Sequence, residues 1–253
     1  MNAGYSKSPI REAICQFKFQ NKKEWDWTIP GIIYQKIEKE YPIKKELTAF
    51  GFSFPLKKED VETTEYLPLV KKPEGMRFLN EDKNRIIQVQ EKTLSIFMQQ
   101  PYSSWKDFKK QIMKILEIYT KLLKPDGIVR IGLRYINNFN FLPDRFEVEK
   151  YFNYYPAFPN KIQATIGELI VRSTIPIPNI ENQEGFMHLL LYLNKADNNQ
   201  IVNNILDLDM VYLQNDENLI MINKAEDYIE KAHNHIKEKF ESCITDELRK
   251  VIK

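Results

Sequence analysis

Ile128-Val129-Arg130-Ile131-Gly132-Leu133-Arg134-Tyr135-Ile136-Asn137-Asn138-Phe139-Asn140-Phe141 stands at the middle of a chain of 253 residues, and its reading decides the fold. Side chains alternate across a strand with period two. Val129, Ile131, Leu133 and Tyr135 therefore share one side, and Arg130, Gly132, Arg134, Asn138 and Asn140 share the other. The first side can enter a core. The second carries guanidiniums and carboxamides, which need partners wherever they are covered.

Pro125-Asp126-Gly127, strong turn chemistry, leads into this strand and ends a helix. That helix is capped by Ser103 or Ser104 and buries Trp105, Phe108, Ile112, Ile115, Tyr119 and Leu122 at helical spacing. Further upstream, Met76–Leu79, Ile86–Gln90 and Leu94–Met98 read as successive antiparallel strands, with Pro73-Glu74-Gly75 as a turn before them. Phe50, Phe52 and Phe54 alternate in another strand, and 63–70 form a weaker one. Pro9 to Phe19 is the first strand, followed by Trp25-Asp26-Trp27 and a helix with Thr28 as its N-cap. Downstream come a short helix from Phe146 to Phe152 and a strand over 163–175. Phe186 to Leu193 is an apolar strand that reads as buried on both faces. Val202 to Tyr212 is a strand, Ile222 to Phe240 a long helix, and Thr245 caps a last short one.

The two halves of this order match. Each is strand, helix, several strands, long helix. Phe17-Lys18-Phe19 is echoed by Phe139-Asn140-Phe141, and Tyr41-Pro42 by Tyr155-Pro156, at a spacing of about 120 residues. The expected fold is α+β, with two similar β-α-β(3–4)-α halves at residues 1–125 and 126–253. In each half a long helix backs an antiparallel sheet. This element order resembles the TATA-binding-protein repeat and, with a longer sheet, the helix-grip fold.

Composition narrows the function. The chain is 43% hydrophobic and 28% charged, with a net charge of +2, so no global field draws it to nucleic acid or to an anionic membrane. No apolar run approaches the ~20 residues of a membrane span. Residues 1–7 lack the apolar region of a signal peptide, so a cytoplasmic protein is expected. Cys15 and Cys243 build neither a disulfide framework nor a zinc site.

No G-x-S-x-G and no phosphate-cradling glycine loop is present, and no cofactor is expected. Asp207 and Asp209, two apart on one strand, lack a third ligand for a metal. His233 and His235 do not share a helix face. The strongest constellation pairs the central strand with Leu206-Asp207-Leu208-Asp209-Met210. If both strands belong to one sheet, Arg130, Arg134 and Asn138 face the same way as Asp207 and Asp209, and Glu12 and Gln16 can join them. Arginine suits bidentate capture of carboxylate or phosphate. These residues form either an internal charge ladder or a partner-binding surface. Trp25 and Trp27 are the best candidates for exposed aromatic contacts.

Three stretches carry a family resemblance: Tyr5-x-x-x-Pro9-Ile10-x-Glu12-Ala13-Ile14; Arg130-Ile131-Gly132-Leu133-Arg134-Tyr135-Ile136-Asn137; and Leu206-Asp207-Leu208-Asp209 with His233-x-x-Ile236-x-x-x-Phe240-Glu241-x-x-Ile244-Thr245-Asp246. The chain resembles a sporadically distributed prokaryotic family of about 250 residues with no assigned function. The resemblance implies one full-length unit and supplies no catalytic residue. A sporadic distribution suits a partner-dependent role, such as an antitoxin or a defence-system accessory subunit. The expected function is thus non-enzymatic binding of a protein partner. Two alternatives are a saddle-shaped sheet that binds nucleic acid through Arg134, Asn138 and helix lysines, and a small-ligand pocket between sheet and helix.

Overall fold

Gly127–Asn140 forms strand β6, which lies inside a sheet that has nine strands among the described residues. The structure, a computed structural model, describes residues 5, 8–20, 24–50, 71–140, 148–159, 168–177, 184–194, 203–214 and 218–253. Before β6 come β1 (Ile10–Gln20), α1 (Thr28–Ile37), β2 (Ile43–Phe50), β3 (Lys71–Leu79), β4 (Arg85–Gln90), β5 (Thr93–Gln99) and α2 (Trp105–Leu123). After it come α3 (Val148–Tyr151), β7 (Glu168–Ile177), β8 (Glu184–Asn194), β9 (Asn203–Leu213), α4 (Ala225–Cys243) and α5 (Asp246–Ile252). The protein is α+β. Its strands run in the order β2-β3-β4-β5-β1-β6-β9-β8-β7, and every neighbouring pair is antiparallel.

One face of the sheet makes the core. Ala13, Cys15, Phe17 and Phe19 of β1, Ile131, Leu133 and Tyr135 of β6, and Leu206, Leu208 and Met210 of β9 are all buried there. Phe108, Ile112, Ile115 and Tyr119 of α2 and Ile229, Ala232, Ile236 and Phe240 of α4 close over them. Each large apolar side chain taken out of water contributes about 1.5–3 kcal/mol. Helix ends follow local chemistry. The Ser104 side chain accepts the Asp107 backbone N–H at the start of α2, and Thr245 accepts that of Leu248 at the start of α5. The sequence offers Ser103 or Ser104 for the first cap and Thr245 for the second, and the structure selects Ser104. The two cysteines are free and buried.

Several expectations change. The period-two reading of β6 fails at its start. A bulge shifts the pairing from Lys18↔Arg130 to Phe19↔Ile128, so Ile128 enters the core and Val129 does not. Pro73-Glu74-Gly75 is not a turn but part of β3. The register steps from Leu47↔Gly75 to Thr48↔Pro73, leaving Glu74 as the extra residue. A Cβ at Gly75 would stand 2.2 Å from the Val89 carbonyl oxygen, so only glycine lets the backbones approach there. β8 is buried on one face alone: Met187, Leu189, Leu191 and Leu193 face the core, while His188 is exposed. Thr28 is not the N-cap of α1. Trp27 holds that position, and the Asp26 carboxylate accepts the Thr28 N–H at 2.8 Å. The expected strand residues Phe52, Phe54 and 63–70 lie outside the described residues, as do 163–167 of the β7 prediction.

Candidate functional site

The helices α2 and α4 lie on one side of the sheet, and among the described residues no helix covers the other. Antiparallel register sets the side chains of this open face in rows. One row runs Ile86, Phe97, Ile14, Arg134, Asp209, His188, Thr174 across β4, β5, β1, β6, β9, β8 and β7. The next runs Gln99, Glu12, Ile136, Asp207, Leu190, Arg172. The strand pairing thus brings Arg134, Asp207, Asp209 and Glu12 together, as the sequence suggests.

Each group has a distinct electrostatic position. Arg134 Nε donates to Asp207 Oδ1 at 2.9 Å, and its Nη2 donates to Oδ2 at 2.5 Å, a bidentate pair. The Asp207 side chain is 10% exposed and that of Arg134 43%, so the acid is sunk in the sheet while the guanidinium reaches outward. Hydrogen bonding to Asp207 raises the Arg134 pKa. Arg130 Nη1 donates to Gln16 Oε1 at 2.6 Å, and Gln16 Nε2 donates to Ser95 Oγ at 3.1 Å. The Arg130 guanidinium lies over Gly132, where a Cβ would stand 2.8 Å from Nη1. Gly132 therefore leaves room for an arginine laid along the sheet, a role that composition does not reveal. Gln99 Nε2 donates to Glu12 Oε1 at 2.8 Å. The Asn138 backbone N–H donates to the Pro9 carbonyl at 2.8 Å, and its half-buried side chain faces the same side as Arg134. Asp209 receives no hydrogen bond among the described residues. Burial pushes its pKa up, against the pull of Arg130 and Arg134.

Among the described residues, two depressions lie on this face. The larger, about 520 Å³, is lined by the apolar Ile136, Leu190 and Ile205 and by the polar Arg11, Glu12, Gln99, Gln100, Arg134 and Asp207. The smaller, about 230 Å³, is lined by Arg134, Asp207, Asp209, Leu190, His188 and Arg172. The Arg134–Asp207 pair belongs to both. A β-bulge between Ile10 and Glu12 sets Arg11 beside Glu12 in the larger one. Arg11, Arg172, His188 and Thr174 are absent from the candidates that the sequence yields. For His188 the signal was present as alternation with Met187 and Leu189, hidden within an apolar run. The Thr174 hydroxyl lies 3.0 Å from His188 Nδ1.

The remaining candidates sit elsewhere. Trp27 is 50% exposed, whereas Trp25 packs against the core and meets it edge-on at 5.8 Å between ring centroids. Lys109 pairs with Glu230 at 2.9 Å and Glu226 at 3.4 Å, and Lys114 pairs with Glu40. These α2 lysines are on the helix side, away from Arg134 and Asn138, so the two sets do not form one surface. Among the described residues no three acids, histidines or cysteines group to hold a metal ion, and no helix is long and apolar enough to cross a membrane.

A second polar cluster lies under the helices. His233 of α4 stacks on Trp105 of α2, 4.2 Å between centroids and 4° from parallel, and its Nδ1 is 3.1 Å from the Tyr135 hydroxyl of β6. Burial lowers the His233 pKa to about 3. Trp105 Nε1 donates to Glu230 at 3.1 Å. Nearby, the Tyr5 hydroxyl donates to Glu241 at 3.0 Å, and Arg249 Nε reaches the same carboxylate at 3.0 Å. The three stretches that carry the resemblance are thus joined in space: Tyr5 to Glu241, Tyr135 to His233, Arg134 to Asp207. Compared with known proteins, the chain matches no protein-family model and no curated protein.

Proposed function

We propose that the protein is a non-enzymatic binding protein and that the open face of its sheet receives a protein partner. The observation that carries this reading is the face itself: depressions lined by apolar and charged groups together, on strands whose opposite side is a closed core. Its charges are mixed. Arg11, Arg130, Arg134 and Arg172 stand among Glu12, Asp207 and Asp209, which suits a patterned protein surface better than a phosphate backbone. The same reading takes the chain as two similar halves of the TATA-binding-protein-like order. The topology supports it, since β1 pairs with β5, β6 pairs with β9, and the two opening strands meet in the sheet. The family resemblance fits the same picture, and with it a role as an antitoxin or defence-system accessory subunit.

Affinity capture from the native host tests the reading. Wild type and Lys121→Glu, on the helix side, retain one stoichiometric protein partner. Arg11→Glu and Arg134→Glu lose it, with circular dichroism unchanged. Retention by both open-face variants, or the absence of any stoichiometric partner, overturns it. A second arm titrates nucleic acid at two salt concentrations. A steep salt-dependent affinity replaces the protein partner with the nucleic-acid alternative.

A further inference from the structure

Among the described residues the sheet ends in two edges that differ in how they are defended. β2 carries Lys44, Lys45 and Glu46 in succession, and charges of this kind keep an edge from pairing with another chain. β7 opposes this with Glu168-Leu169-Ile170-Val171-Arg172, an apolar centre between two opposite charges. Among the described residues no strand pairs with its outer side. Ile170 is 60% exposed on the open face, although it sits within a ladder facing Tyr192. Arg172 is exposed and has no ion-pair partner among the described residues.

We propose that β7 pairs with β7 of a second copy of this chain, antiparallel about a twofold axis through Ile170. The sequence is self-complementary in that register alone. Ile170 meets its own copy, Glu168 meets Arg172 on the same face in both directions, and Leu169 meets Val171 on the helix side. A register centred on Arg172 opposes two guanidiniums, which is destabilising. Pro176 lacks an N–H and falls beyond the Glu168–Arg172 ladder, so the Ile170 register loses no backbone bond to it. The proline also stops the pairing from sliding toward the end of the strand. The product is one continuous sheet through two copies, with both open faces on the same side. The contact is small, so the dimer is transient rather than obligate.

Sedimentation equilibrium of the full chain between about 5 and 500 µM tests this. The wild-type mass rises from 30.1 kDa toward twice that value as concentration increases. Ile170→Lys stays monomeric. Glu168→Arg and Arg172→Glu each weaken association about tenfold, because the symmetry places each reversal in the contact twice. The double variant E168R/R172E restores it. A wild-type monomer throughout the range, a dimer that survives Ile170→Lys, or a double variant no tighter than the singles overturns the proposal. Self-association is read from Ile170→Lys and the sedimented mass, and partner capture by the open face is read separately from Arg11 and Arg134, so failure of one reading is distinguishable from failure of the other.

Discussion

The two faces of the sheet are built from the same strands and obey different rules. In β6, Ile131, Leu133 and Tyr135 are fully buried on one side, while Arg130 and Arg134 stand on the other. In β9, Leu206, Leu208 and Met210 alternate with Asp207 and Asp209 in the same way. The covered face is stabilised by apolar burial beneath α2 and α4. The open face carries arranged charge, with one bidentate ion pair at its centre. This contrast separates residues that hold the fold from residues that face outward on the sheet.

The contrast breaks most clearly at neighbouring positions of β1. Phe17 is buried under the helices, and Ile14 faces the open side in the row of Arg134. Phe17→Ala is expected to cost about 3–5 kcal/mol in urea unfolding, from lost transfer energy and the cavity left behind. Ile14→Ala is expected to cost less than about 1.5 kcal/mol, since the group is only half-buried. Equal losses would mean that the open face is packed like a core.

The next effect comes from the covered face. Burial lowers the His233 pKa to about 3 from its ordinary 6.5. The neutral ring has its Nδ1 3.1 Å from the Tyr135 hydroxyl and lies flat on Trp105. The unfolded chain takes up this proton at a higher pH than the folded one. Stability is therefore complete above pH 6.5 and falls as pH drops toward 3, by up to about 1.4 kcal/mol per pH unit. Urea midpoints measured from pH 8 to pH 4 should show this decline in wild type. His233→Gln should flatten it while lowering stability at neutral pH. An unchanged slope would place the acid sensitivity elsewhere.

The third effect belongs to the centre of the open face. Arg134→Met leaves the Asp207 carboxylate sunk in the sheet without its partner. The expected cost is about 1–2 kcal/mol, below that of a fully buried pair, because Arg134 is half in water. Arg134→Met with Asp207→Leu should recover most of it. A double-mutant cycle checks the coupling. Additive losses would mean that the pair is a surface contact of little energetic weight.

How far these faces were legible differs by cause. The apolar periods of α2 and α4, the cap Thr245, and the side of β6 that carries Arg130 and Arg134 follow from spacing, because local chemistry dictates them; for α2 the spacing leaves Ser103 and Ser104 open. The meeting of Arg134 with Asp207 also follows once both strands are placed in one sheet, since each strand has one charged side. What the spacing hides is set by distant backbone. The bulge that turns Ile128 inward depends on β1. Gly75 lies in a strand because Val89 of β4 presses against it. His188 sits inside an apolar run, and it is exposed because no described element covers that side of β8. Arg11 and Arg172 join the depressions through a bulge and through strand order. Neither feature is written near those residues.

The smallest effect tests whether the open face is wet or dry at its centre. Asp209 stands between Arg134 and His188 in register, and burial raises its pKa above the ordinary 3.8 despite Arg130 and Arg134. A raised acid pKa means that the folded chain holds the proton to higher pH than the unfolded one. Its contribution favours folding below 3.8 and is lost as pH rises through the raised value. At pH 7 the ionised carboxylate is therefore a net cost, and Asp209→Asn should be more stable than wild type, by less than the loss in Arg134→Met. The sign runs opposite to that of His233, although burial is the main cause of both shifts. In wild type the two slopes are opposed, and the larger shift of the histidine dominates. Urea unfolding of Asp209→Asn in the His233→Gln background isolates the smaller one. If that variant is less stable at pH 7 than its parent, attraction to Arg130 and Arg134 outweighs burial. Asp209 is then bound into an ion-pair network rather than left facing the depression for a partner's cation.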